Sequence, residues 1–154
     1  MRKEDGSSVA VRQLDTQEVL VRQTNTTCIL QRILSNPSDH WSSWVTAAYI
    51  YGSTARGNAR IDSDVDIALV SQIRFMSIED AQQMGALLSD SFVEQLRTVG
   101  TKDLFIIHPN FLYKDWLDNP DGANITFPDV VKNVMKEGIK VFGRNTAVGA
   151  LERT

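Results

Sequence analysis

The sequence predicts one α/β domain, because helical and strand patterns alternate along a chain of 154 residues. Two short apolar runs, Trp44–Tyr51 and Val65–Val70, have the β-branched and aromatic composition of buried strands. The longer segments between and around them carry apolar residues at helical spacing. Since 42% of the residues are hydrophobic, the chain can bury a core, and we expect all elements to share it.

The N-terminal elements are a helix and a strand. We expect the helix to begin at Thr16, which can cap it, and to end before Asn36-Pro37, because a residue before proline disfavours helical geometry. Its apolar stripe is interrupted between Gln23 and Thr27. Residues 1–15 are polar, and we expect them to form a tail outside the domain.

The middle of the chain predicts a turn, a second strand and a long helix. The turn at Gly52-Ser53 ends the first strand and begins a short helix. The second strand, Val65–Val70, follows. Ser77 opens a capping-box pattern, and Gly100 is a candidate C-terminal cap for the helix between them.

The C-terminal third is expected to continue the alternation and to end the domain at residue 144. Residues 145–154 are expected to form a second tail. The predicted elements are a strand from Asp103 to Ile107, a helix within Pro109–Leu117, a helix from Pro128 to Glu137 and a strand from Ile139 to Phe142.

Composition argues against several classes of protein. The 16 basic and 19 acidic residues give a net charge of −3, which argues against a broad binding face for nucleic acid. Cys28 is the only cysteine, so neither an intramolecular disulfide nor a Cys-based zinc cluster is expected. The sequence has no apolar run of the roughly 20 residues that a membrane span requires, and no signal-peptide pattern at its start. We therefore expect a cytoplasmic protein without membrane contact.

Asp64 and Asp66 are the strongest candidates for a functional site. Side chains alternate between the faces of a strand, so both carboxylates are expected on one side, about 6.5 Å apart. Mg²⁺ commonly takes one or two carboxylates together with substrate phosphates. Two such ions can hold both oxygens of an in-line phosphoryl displacement. The spacing therefore predicts a site for divalent metal ions.

Gly52, Ser53 and Arg56 are candidates for phosphate binding. Glycine permits a tight turn and a close approach of the backbone. Ser53 supplies a hydroxyl and an N–H group where a helix would begin, and such positions favour anions. Arg56 follows about one helical turn later, where its guanidinium can reach phosphate oxygens. A Walker A loop is excluded, because Asn58-Ala59 stands where that motif has Lys-Ser/Thr.

This segment resembles a known family. Gly52-Ser53, ten residues and Asp64-x-Asp66 match the signature of the polymerase-β-like nucleotidyltransferase superfamily, and the longer text is similar to its minimal nucleotidyltransferase branch: GSTARGNARIDSDVDIALV. The C-terminal text also resembles the end of that family: VVKNVMKEGIKVFG. The resemblance implies a mixed β-sheet flanked by helices. It also implies transfer of a nucleoside monophosphate, usually AMP from ATP, with release of pyrophosphate.

The resemblance further implies roles for individual residues. Gly52 and Ser53 would bind the β- and γ-phosphates of the nucleotide, together with the candidate Arg56. Asp64 and Asp66 would bind two Mg²⁺ ions. With ATP as its substrate, the chain would be a magnesium-dependent nucleotidyltransferase.

A third carboxylate on a later strand completes the metal site in the family. Asp103 is the best match in this sequence, where it would complete one metal site and help to deprotonate the acceptor hydroxyl. The alternative is that Asp103 is only a solvated residue at a strand start. Glu79 and Asp80 are weaker candidates, since helix capping already explains their position.

The resemblance also implies a partner. Minimal nucleotidyltransferases often act with a HEPN-domain ribonuclease as a toxin–antitoxin pair, in which they are the antitoxin and can attach AMP to a toxin tyrosine. The chain would then be a protein adenylyltransferase with a HEPN toxin as its acceptor. Two alternatives stay open. One is an antitoxin that binds its partner without catalysis, and the other is a small-molecule transferase that would need an acceptor pocket from a homo-oligomer.

Overall fold

The computed structural model describes residues 11–35, 45–71, 77–122 and 124–143. The expected α/β class is confirmed, because a mixed sheet is flanked by helices. In chain order the elements are α1 (Thr16–Leu34), β1 (Val45–Tyr51), α2 (Ser53–Arg56), β2 (Val65–Ser71), α3 (Ile78–Val99), β3 (Ile107–Tyr113), α4 (Lys114–Asp118), α5 (Pro128–Glu137) and β4 (Ile139–Gly143).

The strands form one sheet in the order β3-β2-β1-β4. β1 is antiparallel to β2 and to β4, whereas β2 and β3 are parallel. Tyr51 pairs with Asp66 at the end of β1, and Asp66 pairs with His108 on β3. The register therefore brings the end of β1 and the starts of β2 and β3 to the same end of the sheet.

Helices cover both faces of the sheet. The core between the sheet and the helices α1 and α3 includes Ile29, Leu34, Val65, Ile67, Leu88 and Phe92. The core on the opposite face, under α4 and α5, includes Ala68, Leu112, Trp116, Val131 and Val134. Burial of one large aliphatic or aromatic side chain stabilises the fold by about 1.5–3 kcal/mol. A shift in strand register would expose these side chains, so both layers of the core favour the observed register. Because side chains alternate along β2, Asp66 lies on the face of Ala68 and opposite to Val65.

The helix α1 is continuous, and its cap is Asp15 rather than the expected Thr16. Asp15 Oδ1 accepts a hydrogen bond from the Glu18 N–H group at 2.8 Å, and Glu18 Oε1 accepts one from the Asp15 N–H group at 2.9 Å. The polar stretch that interrupts the apolar stripe stays helical. Its three threonine hydroxyls donate to carbonyl groups four residues earlier, so they are satisfied inside the helix.

The third strand differs from the expected one. β3 is Ile107–Tyr113 instead of Asp103–Ile107, and the helix expected within Pro109–Leu117 is limited to α4. In the extended approach to β3, Phe105 is buried whereas Leu104 is exposed. Proline is compatible with β3 because, in the described part of the chain, this strand pairs with β2 alone, and edge strands accept proline. A short apolar run does not by itself distinguish these alternatives.

The segment before α1 packs against the loop that precedes β2. The Leu14 N–H group donates to the Ala59 carbonyl at 2.9 Å, and the Ile61 N–H group donates to the Arg12 carbonyl at 2.9 Å. The side chain of Leu14 is buried beside Ala59. Residues 12–14 therefore pack on the domain, although the boundary expected from the sequence lies at residue 15.

Several sequence expectations lie outside the described residues. These include Trp44 as the first residue of β1 and most of both tails, residues 1–10 and 144–154. The domain limits at residues 15 and 144 stay predictions. None of the described helices combines the length and the apolar character that a membrane crossing needs.

Candidate functional site

The turn after β1 lies directly against Asp66. Gly52 has φ +77° and ψ −155°, a conformation that residues with a side chain rarely adopt. The pairing of Tyr51 with Asp66 brings the carboxylate so close that a Cβ atom on Gly52 would overlap its Oδ2 oxygen. The fold thus joins the glycine turn to one of the two carboxylates that the sequence singled out.

Replacing Gly52 with Ala is expected to cost more stability than replacing Gly57 with Ala. Gly57 is in the left-handed helical region, which costs an alanine about 1–2 kcal/mol, whereas Gly52 has φ and ψ values that are essentially restricted to glycine. A Cβ atom on Gly57 would meet nothing within 4 Å, whereas one on Gly52 forces Asp66 to move. Such overpacking adds about 1–3 kcal/mol. Urea unfolding of both variants measures the difference, and equal losses would contradict the close contact.

Ser53 and Arg56 lie on α2, which is a single helical turn. The Arg56 N–H group donates to the Gly52 carbonyl at 3.0 Å, and the Gly57 N–H group donates to the Ser53 carbonyl at 3.0 Å. A helix of four residues contributes little dipole, since the macrodipole is a sum over aligned peptide units. Anion binding at this turn therefore depends on its N–H groups, on the Ser53 hydroxyl and on Arg56.

Glu137 belongs to this site, although the sequence patterns did not identify it. Its Oε2 oxygen accepts hydrogen bonds from the Gly52 N–H group at 2.6 Å and from Arg56 Nη1 at 2.9 Å. Its Oε1 oxygen also lies 3.2 Å from Arg56 Nη1. Glu137 is 85 positions from Gly52 in the chain, so no local pattern predicts the contact. The sequence feature that points to Glu137 is the Glu137-Gly138 pair, which lies in the C-terminal segment that resembles the family.

Asp64 and Asp66 differ in exposure. Asp64 is exposed just before β2, and Asp66 is half-buried within it. Burial raises the pKa of the Asp66 carboxyl above its usual value, and the nearby His108 and Arg56 charges oppose that rise. The carboxylates of Asp64 and Glu137 raise the same pKa further. A cation bound between Asp64 and Asp66 would offset the repulsion between these two carboxylates.

The donor set suits a hard divalent cation. Asp64 and Asp66 supply oxygen ligands, and among the residues that the structure describes no three His, Cys, Asp or Glu side chains are placed to hold a metal ion. Mg²⁺ commonly takes one or two carboxylates and completes its shell with water and substrate phosphates. The pair therefore fits a metal that is shared with a bound phosphate group. Metal binding at Asp64 and Asp66 stays a prediction.

Asp103 lies in a different setting from the expected one. Its carboxylate pairs with the fully buried Arg22, with 2.9 Å between Oδ2 and Nε and 2.6 Å between Oδ1 and Nη2. The same guanidinium donates to the backbone carbonyls at positions 60, 61 and 63, in the loop just before Asp64. Arg22 and Asp103 thus hold the loop that positions Asp64. A metal-binding role for Asp103 stays a prediction, and this pairing argues against it.

A groove of about 530 Å³ opens beside Asp64. His108 and Asn110 supply polar groups to it, and Asn110 Nδ2 also donates to the Tyr51 hydroxyl at 2.8 Å, which ties β3 to β1. The apolar lining comes mainly from α3, β3 and the chain before β3, with Phe127 added just before α5: Ile78, Ala81, Gly85, Ile106, Pro109 and Phe111. A molecule with an apolar body can therefore place a polar group beside Asp64.

Comparison with known proteins places the chain among nucleotidyltransferases. A family model described as "Polymerase beta, Nucleotidyltransferase" matches residues 38–114, half of the chain. A Sulfolobus solfataricus crystal structure, provisionally described as a nucleotidyltransferase, is 17% identical with a TM-score of 0.50 over 90% of this chain and 94% of its own, which shows a shared fold. A toxin–antitoxin structure with AMP-PNP is 14% identical with a TM-score of 0.44 over 81% of this chain and 78% of its own, a likeness too weak to support a conclusion. A search of curated proteins gives no significant match.

Proposed function

Since the chain belongs to the polymerase β nucleotidyltransferase family, we propose that it transfers AMP from ATP to a tyrosine of a HEPN-domain toxin and so acts as an antitoxin. The observation that carries the transfer reaction is the contact between the Gly52 turn and Asp66, with Asp64 beside it. The choice of acceptor is supported by the resemblance of GSTARG and SDVD to minimal nucleotidyltransferase antitoxins.

In the proposed reaction the Gly52 turn, Ser53 and Arg56 bind the β- and γ-phosphates of ATP. Asp64 and Asp66 would hold two Mg²⁺ ions, which would neutralise charge on the triphosphate and on the leaving group. The acceptor oxygen forms a bond to the α-phosphorus, and the bond from that phosphorus to the oxygen bridging it to the β-phosphorus breaks. Pyrophosphate leaves with the electron pair of that bond, and the hydroxyl proton passes to solvent.

The groove beside Asp64 supports an acceptor with an aromatic hydroxyl. Its walls are mainly apolar, and its polar groups include Asp64 and His108. A tyrosine ring can bury its apolar body against such walls while its hydroxyl stays at the polar side. A small hydrophilic acceptor would leave most of the apolar lining without a contact, so the groove favours a protein acceptor over a polar antibiotic.

Mass spectrometry of a candidate HEPN-domain toxin tests this proposal. After incubation with the chain, ATP and Mg²⁺, we expect the toxin to gain the mass of one or more AMP units, which peptide mapping assigns to tyrosine. The variant Asp64→Ala/Asp66→Ala is expected to give no gain while still binding the toxin. Unmodified toxin with both proteins would exclude transfer to this acceptor.

An antitoxin that binds without catalysis is the second candidate. It is favoured by the pairing of Asp103 with Arg22, because no other described carboxylate is then placed with Asp64 and Asp66 to hold a metal ion. Neutralisation of the toxin by Asp64→Ala/Asp66→Ala distinguishes the two candidates. Full neutralisation supports binding alone, whereas loss of neutralisation with an intact complex supports catalysis.

A further inference from the structure

Glu137 connects two groups that the proposed function assigns to phosphate binding, the Gly52 turn and Arg56. We propose that Glu137 is a positioning residue for the triphosphate of the nucleotide. Its Oε2 oxygen holds the backbone of the turn by accepting from the Gly52 N–H group. Both of its oxygens accept from Arg56 Nη1 and so orient the guanidinium. This inference rests on the proposed nucleotide site, and it adds a residue that neither the family match nor the Gly-Ser and Asp-x-Asp motifs include.

The position of Glu137 is fixed by the elements on either side of it. It is the last residue of α5, whose Val131 and Val134 side chains are buried in the core. The strand β4 begins two residues later, and its first residue, Ile139, pairs with Ile50 on β1. The carboxylate is therefore anchored next to the end of β1, where the turn begins. A side chain on such a rigid base can hold a loop in one conformation.

The contact leaves part of the Arg56 guanidinium available. Arg56 bonds to Glu137 through Nη1 alone, and its Nε and Nη2 groups make no hydrogen bond to any residue in the described ranges. Its side chain is 48% exposed, whereas that of Glu137 is 14% exposed. The carboxylate is thus largely enclosed, whereas about half of the Arg56 side chain stays accessible to a ligand. Nε and Nη2 lie on one edge of the planar guanidinium, and such a pair of donors can bind two phosphate oxygens.

A competing role for Glu137 makes the opposite prediction. If its carboxylate occupied the place of a phosphate, its removal would free the Gly52 N–H group and Arg56 for the nucleotide, and ATP would bind more tightly. If Glu137 positions these groups, its removal lets both relax and ATP binds more weakly. The sign of the change in affinity therefore decides between the two roles.

Calorimetric titration with ATP and Mg²⁺ tests the proposal. Glu137→Gln keeps an acceptor for the Gly52 N–H group but loses the charge that orients Arg56. We expect it to weaken ATP binding about 10- to 100-fold, by analogy with the loss of metal affinity when the hydrogen-bond partner of a metal ligand is removed. AMP lacks the β- and γ-phosphates, so its affinity should stay unchanged. Asp129→Asn, an exposed carboxylate in the first turn of the same helix, is the matched control and should not change either affinity.

A double-mutant cycle separates positioning from a general loss of structure. The effect of Glu137→Gln on ATP affinity should largely disappear in the Arg56→Ala background, because the charge acts through that guanidinium. The proposal would be overturned if Glu137→Gln had equal effects in both backgrounds. It would also be overturned if the variant bound ATP as tightly as the wild type or more tightly, or if it lost affinity for ATP and AMP in parallel. Failure of the wild-type chain to bind ATP would instead overturn the nucleotide site itself, and the positioning role with it.

Discussion

Replacement of Asp66 by Asn is expected to reduce the rate of AMP transfer at least about a thousand-fold while leaving the domain folded. A metal-bound charge contributes several kcal/mol to phosphoryl transfer, and about 4 kcal/mol corresponds to a thousand-fold in rate. Asparagine keeps the shape of the side chain, so the contact with Gly52 can persist. Its neutral amide also removes the repulsion from Asp64, which leaves no reason for a large loss of stability.

The release of pyrophosphate in the presence of ATP, Mg²⁺ and the toxin measures this rate, and thermal unfolding checks the fold. Asp62→Asn is the matched control, because Asp62 is exposed in the loop before Asp64 and lies 3.6 Å from Arg60 Nε. An exposed ion pair of this kind is worth little, so its rate should stay near that of the wild type. A wild-type rate for Asp66→Asn would show that Asp66 does not hold a catalytic metal.

Asp103→Ala is expected to lower the free energy of unfolding by about 3–5 kcal/mol, because it leaves the buried Arg22 guanidinium without its counter-charge. Small domains have a total stability of about 5–15 kcal/mol, so the loss is a large share of it. The same guanidinium binds the three carbonyls before Asp64 and lies 4.8 Å from the ring centre of Phe105. We therefore expect activity to fall together with stability.

Urea unfolding measures this loss, and Arg12→Ala is a suitable control. Arg12 makes a bidentate pair with Glu18 at 2.6 and 3.0 Å, but both side chains are exposed. Exposed pairs contribute about 0–1 kcal/mol, so the control should unfold close to the wild type. A stable Asp103→Ala variant that fails to transfer AMP would contradict this structural role and would support the predicted role of Asp103 as a metal ligand.

Local rules account for the contact between Gly52 and Asp66. β1 and β2 are consecutive and antiparallel, so the residues between them bring Gly52 back to Asp66, whereas the placement of Asp64 and Asp66 on one side stays a prediction from strand alternation. The helix from Ile78 to Val99 follows from its Ser77 cap and from Gly100, which has a positive φ in the structure. In each case the partners are close in sequence or share one element.

Long-range partners were not predictable in the same way. Arg22 and Glu137 are charged residues on helices, and such residues are usually solvated, so a single sequence gives no reason to bury either one. Each acquires its role from a residue 81 to 85 positions away. The strand β3 was misplaced because a proline within it counts against a strand unless its edge position is already known.

The pairing of residues 12–14 with the loop after α2 has a practical consequence for shortened versions of the chain. Leu14 and Arg12 hold the loop through backbone hydrogen bonds, and Arg22 holds it by donating to three of its carbonyl groups. A protein trimmed to begin at Thr16 would keep the residues of every described helix and strand, but it would lose the Asp15 cap of α1 and the contacts that residues 12–14 make with the loop. The loop leads directly into Asp64, so trimming at the chain terminus would loosen one wall of the groove beside Asp64, far along the chain from the residues removed.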